Sequence, residues 1–321
     1  MSTDRRAVVL GGAGFIGRRV CRDLTRAGWD VVAVSRRPVP LPGVRTQPLD
    51  LCTASVLPLL LHERPAVVVN AAGGVFGATE REMRDANVLL VEQLVTALTA
   101  LSWTPRLIQL GTVHEHGDAA AGAPLTEDTP TRPTSVYGQT KLRATTLVRS
   151  AHAAGAIDAV VLRVVNLLGR DAPTTSLPGR VVAELARLHR RGESGVLELL
   201  ALNAARDYID VADVADAVVR AAVRPVGGRV IPIGSGAATS VRWLVHELVA
   251  ISGVPATVAE LEPVGPGAVG NSGGAHHITV DTTLADQLLG WRARTTLTGS
   301  LRAMWLAASE PAPELGAVPT P

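Results

Sequence analysis

The feature that most narrows what this chain can fold into lies near its start, where the apolar run AVVL (7–10) opens directly into Gly11-Gly12-Ala13-Gly14-Phe15-Ile16-Gly17. Glycines at 11, 14 and 17 between a strand and a helix have separate mechanical duties. Gly11 permits a tight turn, Gly14 lets the backbone approach a pyrophosphate, and Gly17 lets the helix pack close to the strand. The first helical residues, Phe15 and Ile16, then present unpaired amides to the phosphates. Such a pattern is weak alone, and a plain strand-to-helix turn is the bland alternative. Its place after a first strand, with further strands behind it, points to dinucleotide binding.

Those further strands are short apolar runs: VVAVS (31–35), AVVVN (66–70), RLIQLG (106–111) and AVVLRVVN (159–166). Unbroken β-branched runs of this kind predict strands buried on both faces of a parallel sheet. Helices are predicted between them at 15–27, 54–62, 86–101 and 136–154, as βαβ crossovers require. The fold class is therefore α/β, a doubly wound parallel sheet. Beyond about residue 167 the regularity weakens into Gly/Pro-containing loops, with helices predicted near 178–191, 211–223 and 241–252 and a strand near 229–233. This reads as a smaller, partly interleaved second domain. GPGAVGNSGG (265–274) is expected to be a mobile loop, and residues 311–321 a flexible tail.

Composition excludes several classes. With 321 residues, 47% of them hydrophobic and 19% charged, the chain can bury an ordinary core. A net charge of +2 gives no case for nucleic acid. Two cysteines, Cys21 and Cys52, form neither a disulfide framework nor a metal-ligand spacing, which fits a reducing cytoplasm. No uncharged apolar run approaches the roughly 18 residues of a membrane helix, since even VVLRVVNLLG is interrupted by Arg163. Arg5-Arg6 before the first apolar run imitates a leader peptide. Glycines break that run and no AxA-type site follows, so it reads as strand plus loop.

At the end of the second strand, a fold that binds NAD usually presents an acidic residue to the ribose 2′-hydroxyl; here stand Ser35-Arg36-Arg37. Arginine makes bidentate, charge-assisted contacts with phosphate, so NADP(H) is the expected cofactor, against the alternative of a solvated basic turn. A second signal comes from usage. The 31 basic residues comprise thirty arginines and one lysine, Lys141, and that lysine stands four positions after Tyr137, one of only two tyrosines. Four residues apart on the helix predicted at 136–154, the phenol and the ammonium share one face.

The glycine loop, Tyr137-x-x-x-Lys141 and a strand ending in Gly111-Thr112 together resemble the short-chain dehydrogenase/reductase superfamily, in its extended branch of nucleotide-sugar epimerases, dehydratases and reductases. The likeness spans nearly the whole chain. Further matches are Asp50-Leu51, Asn70-Ala71-Ala72-Gly73, Asn87 opening a helix, Leu162-Arg163…Asn166…Gly169, Arg206-Asp207-Tyr208-Ile209…Val211…Asp213-Val214, and Asp281…Leu289-Gly290-Trp291. The resemblance implies a Rossmann fold with a smaller C-terminal α/β substrate domain: residues 1–166, rejoined by about 205–235, for NADP(H), and 167–310 mainly for substrate. It implies cofactor contacts from Gly11, Gly14, Phe15, Ile16, Gly17, Ser35, Arg36, Arg37, Asp50, Leu51, Ala71, Ala72, Gly73, Asn87, Tyr137 and Lys141. The tyrosine exchanges a proton with the substrate oxygen, helped by the positive charge of Lys141, because a free phenol titrates near 10. By the same resemblance Lys141 would also hold the nicotinamide ribose, Thr112 would orient the carbonyl, and Arg206, with Asn166 near it, would meet the diphosphate of the substrate; the bland alternatives are a strand-end hydroxyl for Thr112 and a salt bridge to Asp207 or Asp210 for Arg206.

Departures from the family pattern narrow the reaction. Dehydratases of the branch carry Asp-Glu after the threonine; Val113-His114 stands here, which argues against that chemistry. Glu115-His116-Gly117 replaces Val-Tyr-Gly, and a second family arginine is missing, with His276 and His277 nearby. For His114 and His116 two readings stand, ordinary loop histidines, which is the preferred one, and contacts to substrate. Arg36 and Arg37 favour a net reductase, and AAGGVFG with the LLGW close resembles the 4-ketoreductases that finish TDP-deoxysugars for actinomycete antibiotics. The expectation is NADPH-dependent reduction of the C4 ketone of a TDP-4-keto-6-deoxyhexose, with Tyr137 as proton donor. Alternatives are an epimerase with tightly bound NAD, a reductase of a non-sugar ketone, and a non-catalytic NADPH-sensing protein. A homodimer through helices 86–101 and 136–154 is a further expectation.

Overall fold

A strand buried on both faces needs apolar residues at every position, and the first strand has them: Ala7 and Val9 point into one core, Val8 and Leu10 into the other. The structure, a computed structural model, describes residues 5–37, 39–74, 78–117, 123–261 and 277–310. In chain order the strands are β1 (Arg6–Leu10), β2 (Asp30–Ser35), β3 (Arg45–Pro48), β4 (Val67–Asn70), β5 (Arg106–Thr112), β6 (Asp158–Val164), β7 (Asn166–Leu168), β8 (Gly195–Leu200), β9 (Ala205–Asp210), β10 (Val230–Ile233), β11 (Ala238–Ser240), β12 (Ala256–Leu261) and β13 (His277–Ile278). The helices are α1 (Phe15–Arg26), α2 (Leu57–Glu63), α3 (Glu80–Arg84), α4 (Leu90–Thr99), α5 (Val136–Ala153), α6 (Leu177–Arg191), α7 (Val211–Ala221), α8 (Val241–Ser252), α9 (Thr283–Leu289) and α10 (Leu297–Ser309).

Seven strands form one parallel sheet in the order β10-β6-β5-β4-β1-β2-β3. One face is covered by α1 and α7, whose Val20, Leu24, Val214 and Val218 enter the first core. The other is covered by α2, α4 and α5 through Leu60, Leu94, Ala144 and Val148. A doubly wound sheet is thus what the alternating runs encode. A third core lies under α6, α8 and α10, where Leu185, Leu244, Leu301 and Trp305 pack on β7, β8 and β9. There β9 pairs with β7, β11 and β13, and β8 pairs with β12. The late Leu289-Gly290-Trp291 signature is structural: Gly290 ends α9 at φ +62, and fully buried Trp291 donates its indole N–H to Asp213 O at 3.0 Å.

Several expected boundaries move. The apolar run 159–166 is cut at Val165, where the chain leaves the large sheet and Asn166 begins β7 beside Tyr208. The helix predicted from 54 starts at Leu57, with Pro58 in its first turn. Asn87 does not open a helix. The helical stretch begins at Glu80, where Thr79 and Glu82 form a capping box, and Asn87 sits inside a wide i→i+5 turn, Asp85–Leu89. Residues 265–274, the tail 311–321 and His276 lie outside the described residues.

Candidate active site

The strand order reverses between β1 and β4, so the loops after these two strands diverge and open a crevice at their carboxyl ends. Gly11, at φ +76, touches the opposite loop: a Cβ there would lie 2.7 Å from Ala71 O and Ala72 N. Gly17 abuts the Gly11 carbonyl so closely that no side chain fits. Gly14 is different, since the one atom near its Cβ position is Gly11 O at 3.1 Å and the remaining space is open. It begins α1 without any side-chain cap, leaving the first-turn amides, from Phe15 through Ile16 to Gly17, for another acceptor. A cradle of this shape fits a dinucleotide diphosphate.

At the rim, Ser35 Oγ donates to Arg37 O at 2.7 Å, which fixes the turn and leaves the Arg36 and Arg37 side chains exposed. Asp50 turns the next loop by accepting Cys52 N at 3.0 Å, over buried Leu51. Both Arg36 and Asp50 act on the Cys52 thiol, which places them on one edge of the crevice.

The opposite end is built by an overhang. Pairing of β5 with β4 ends at Asn70↔Gln109, while pairing with β6 continues to Thr112↔Val164. Beyond β4, side chains take two main-chain groups of β5. Lys141 Nζ donates to Leu110 O at 2.6 Å, and Glu115 Oε1 accepts the Thr112 amide at 2.9 Å. Asn87 ties the loop after β4 to α5: its Oδ1 accepts Gly74 N at 3.0 Å and its Nδ2 donates to Thr140 Oγ1 at 3.1 Å. A Cβ on Gly73 would meet Asn87 Oδ1 at 2.8 Å and lie 4.0 Å from Lys141 Nζ. Gly73, Asn87 and Lys141 therefore converge.

Tyr137, one turn before Lys141 on α5, hydrogen-bonds the Thr112 side chain. Burial pushes the phenol up to about 12; the Thr112 bond opposes this and the charge of Glu115 adds to it. Burial likewise pulls Lys141 below its ordinary value, against the charge of Glu115. In this pocket the desolvation of a would-be phenolate outweighs the bond from Thr112.

His114 is no ordinary loop histidine. Its ring stands edge-on to Tyr137, with centroids 5.8 Å apart, and it is bonded to the Asn166 side chain. Burial, with Arg206 adding to it, holds its imidazole down at about 4. Asn166 Nδ2 donates to Asp207 O at 3.1 Å, so residues from β7, β9 and the turn after β5 meet around the phenol. The two carboxylates beside Arg206 serve the backbone: Asp207 accepts Ser235 N and Gly236 N at 2.8 and 2.9 Å, and Asp210 accepts Ala212 N at 2.7 Å.

His116 too is buried rather than looped out. It belongs with Glu115 and Arg163 in a set that sequence reasoning did not assign. The signal was present, for an arginine inside an apolar strand run needs a buried partner. Among the described residues, no group of three or more His, Cys, Asp and Glu could hold a metal ion, and no helix is long and apolar enough to cross a membrane.

Residues 7–234 match the NAD dependent epimerase/dehydratase family. Over 309 residues the chain is 40% identical to a dTDP-6-deoxy-L-talose 4-dehydrogenase (NAD(P)(+)) of Kitasatospora kifunensis, covering 95% of this chain and 96% of that one. It is 30% identical over 287 residues to a UDP-glucose 4-epimerase of Azospirillum brasilense, covering 81% and 82%. The solved structure of RMD from Pseudomonas aeruginosa complexed with NADPH superposes with a TM-score of 0.81 at 22% identity, covering 95% of this chain and 99% of that one. That last likeness concerns the fold.

Proposed function

The chain belongs to the NAD dependent epimerase/dehydratase family, and from that membership we propose that it reduces the C4 ketone of a TDP-4-keto-6-deoxyhexose with NADPH. The observation that carries this reading is the meeting of Tyr137, Thr112 and Lys141 at the overhang of β5, across from the uncapped start of α1. The Kitasatospora relative, named for dehydrogenation at C4 of such a sugar, supports the carbon and the substrate class.

The loop Gly11–Gly17 would hold the diphosphate, Arg36 and Arg37 the 2′-phosphate, and Lys141 the nicotinamide ribose, with Gly73 and Asn87 shaping the space beside it. Asp50, Leu51, Ala71 and Ala72 would complete the cofactor's walls. When bound, NADPH supplies the hydride that adds to C4. Tyr137, kept protonated by its surroundings, gives its proton to O4 as negative charge gathers there, and Thr112 orients that oxygen. Arg206 and Asn166 would take the substrate diphosphate. The division of labour we propose assigns 1–166 and about 205–235 mainly to cofactor, and 167–310 mainly to substrate.

The test follows NADPH absorbance against a panel of TDP-4-keto-6-deoxyhexoses. Consumption matched by a new C4 hydroxyl is expected, and Tyr137→Phe should lower kcat about 10³-fold while NADPH affinity stays within about threefold. Protein that purifies with tightly held NAD and consumes no NADPH would instead be an epimerase, a reading the Azospirillum relative favours. Turnover of these sugars untouched by Arg206→Ala would take that arginine out of diphosphate binding, and silence across the panel with NADPH bound would replace the nucleotide sugar with another ketone.

A further inference from the structure

Glu115 is a fully buried carboxylate to which the reaction just described gives no part, yet it stands directly behind the proton-donating end of the site. Its Oε1 accepts the Thr112 amide at 2.9 Å; its Oε2 accepts Arg163 Nε at 3.1 Å and Nη2 at 2.9 Å. The remaining guanidinium nitrogen, Nη1, lies 3.1 Å from His116 Nε2, and His116 Nδ1 lies 3.3 Å from Pro130 O. Arginine can only donate, so Nε2 accepts, Nδ1 carries the ring proton, and the imidazole is neutral. The strand makes room for this set. A Cβ on Gly111 would fall 2.7 Å from Glu115 Oε1. A buried ion pair is commonly no more stabilising than an apolar pair of the same volume, so fold stability alone does not account for the arrangement.

We propose that Glu115, clamped by Arg163 and His116, is a positioning residue for the reaction: it fixes Thr112 through the main chain and sets a buried negative charge behind the pair Tyr137 and Lys141. The proposal rests on the ketoreductase reading only in taking Tyr137 as the proton donor. The groups that face the phenol are Thr112 at the end of β5 and His114 and Glu115 in the turn after it; Lys141 stands one turn further along α5, and Arg206 on β9 acts on His114. Among the described residues, Glu115 is the anion acting on both members of the pair.

The chain's two tyrosines make the test direct, because Tyr208→Phe leaves Tyr137 as the one phenol. In that background, near-ultraviolet phenolate absorbance is read after rapid jumps to alkaline pH. Glu115→Gln keeps an acceptor for the Thr112 amide but loses the charge; the Tyr137 midpoint should fall by about one pH unit, and Glu115→Gln with Arg163→Gln should recover at least about half of that. In the otherwise natural chain, the alkaline limb of NADPH-dependent reduction should move down with it, with KM for NADPH within about twofold. Glu115→Asp keeps the charge but falls short of the amide, so kcat should drop about tenfold with the phenol midpoint at the parent's value. An unmoved midpoint in folded Glu115→Gln overturns the proposal, and so does failure of both Glu115 variants to fold, which would make the carboxylate a support of the fold alone. A moved midpoint in a protein that reduces no ketosugar would sink the ketoreductase reading and keep Glu115 as the group that sets the phenol.

Discussion

His114 and His116 stand two residues apart, and burial holds each imidazole at about 4. For His116, 2% exposed, the folded value lies below the ordinary 6.5, so the neutral form is the one the fold favours. Its contribution to stability is complete above pH 6.5 and is lost as pH falls towards 4, by about 3 kcal/mol when the whole shift is converted. Thermal midpoints measured from pH 7.5 down to 4 should therefore drop steeply below 6.5. His116→Gln, which can accept from Arg163 without titrating, should flatten that drop, and an equal slope in both proteins would assign it to other groups. At this scale the sequence was legible where residue usage was extreme. A single lysine four places from one of two tyrosines pointed to α5 and to the end of β5, where both side chains are found. It was illegible for the histidines, since a two-residue spacing in a turn says nothing about which side the chain buries. Arg163 was the overlooked cue, and Glu115, in place of an apolar family residue, was its partner.

Among the elements, the wide turn at Asp85–Leu89 and the overhang of β5 do most to shape the site. The wide turn lets Asn87, 2% exposed, aim its amide across at Gly74 and Thr140 while Val88 and Leu90 stay in the core. Asn87→Ala should unfasten the loop after β4 from α5. The expected result is NADPH affinity weaker by about tenfold, read by fluorescence titration, with a stability loss of about 1–2 kcal/mol in denaturant melts. A loss of stability with affinity unchanged would show that the amide supports packing only. The buried strands were legible because β1, β2, β4 and β6 are apolar at most positions, a pattern that water-facing segments do not keep. β3 leaves no apolar run because Arg45–Pro48 is a polar edge strand, and only the family resemblance counted a strand before Asp50; β8 and β12, which pair with each other away from the large sheet, went unread. The helix start at Glu80 was written in Thr79-x-x-Glu82, a capping box that a search for apolar periodicity passes over.

Across the whole molecule, the candidate site joins pieces that separate cores hold in place. Tyr137 and Lys141 ride on a helix packed against the large sheet, whereas Arg206 sits on β9, whose partners are β7, β11 and β13. A cofactor lying along the carboxyl ends of β1 and β4 would add contacts that the unfolded chain cannot make, so binding should appear as stability. At a concentration 100 times its dissociation constant, a ligand specific to the folded state adds about 2.7 kcal/mol. NADPH and NADH at equal concentration should then separate: if Arg36 and Arg37 grip the 2′-phosphate, NADPH raises the melting temperature clearly more. Arg36→Ala with Arg37→Ala should bring the NADPH shift down to that of NADH, with the NADH shift itself unaltered, because exposed arginines on the turn after β2 contribute little to the fold. Equal shifts from both nicotinamides in the natural protein would move the cofactor assignment towards NAD, and with it the balance from a net reduction towards a reaction that returns its own hydride.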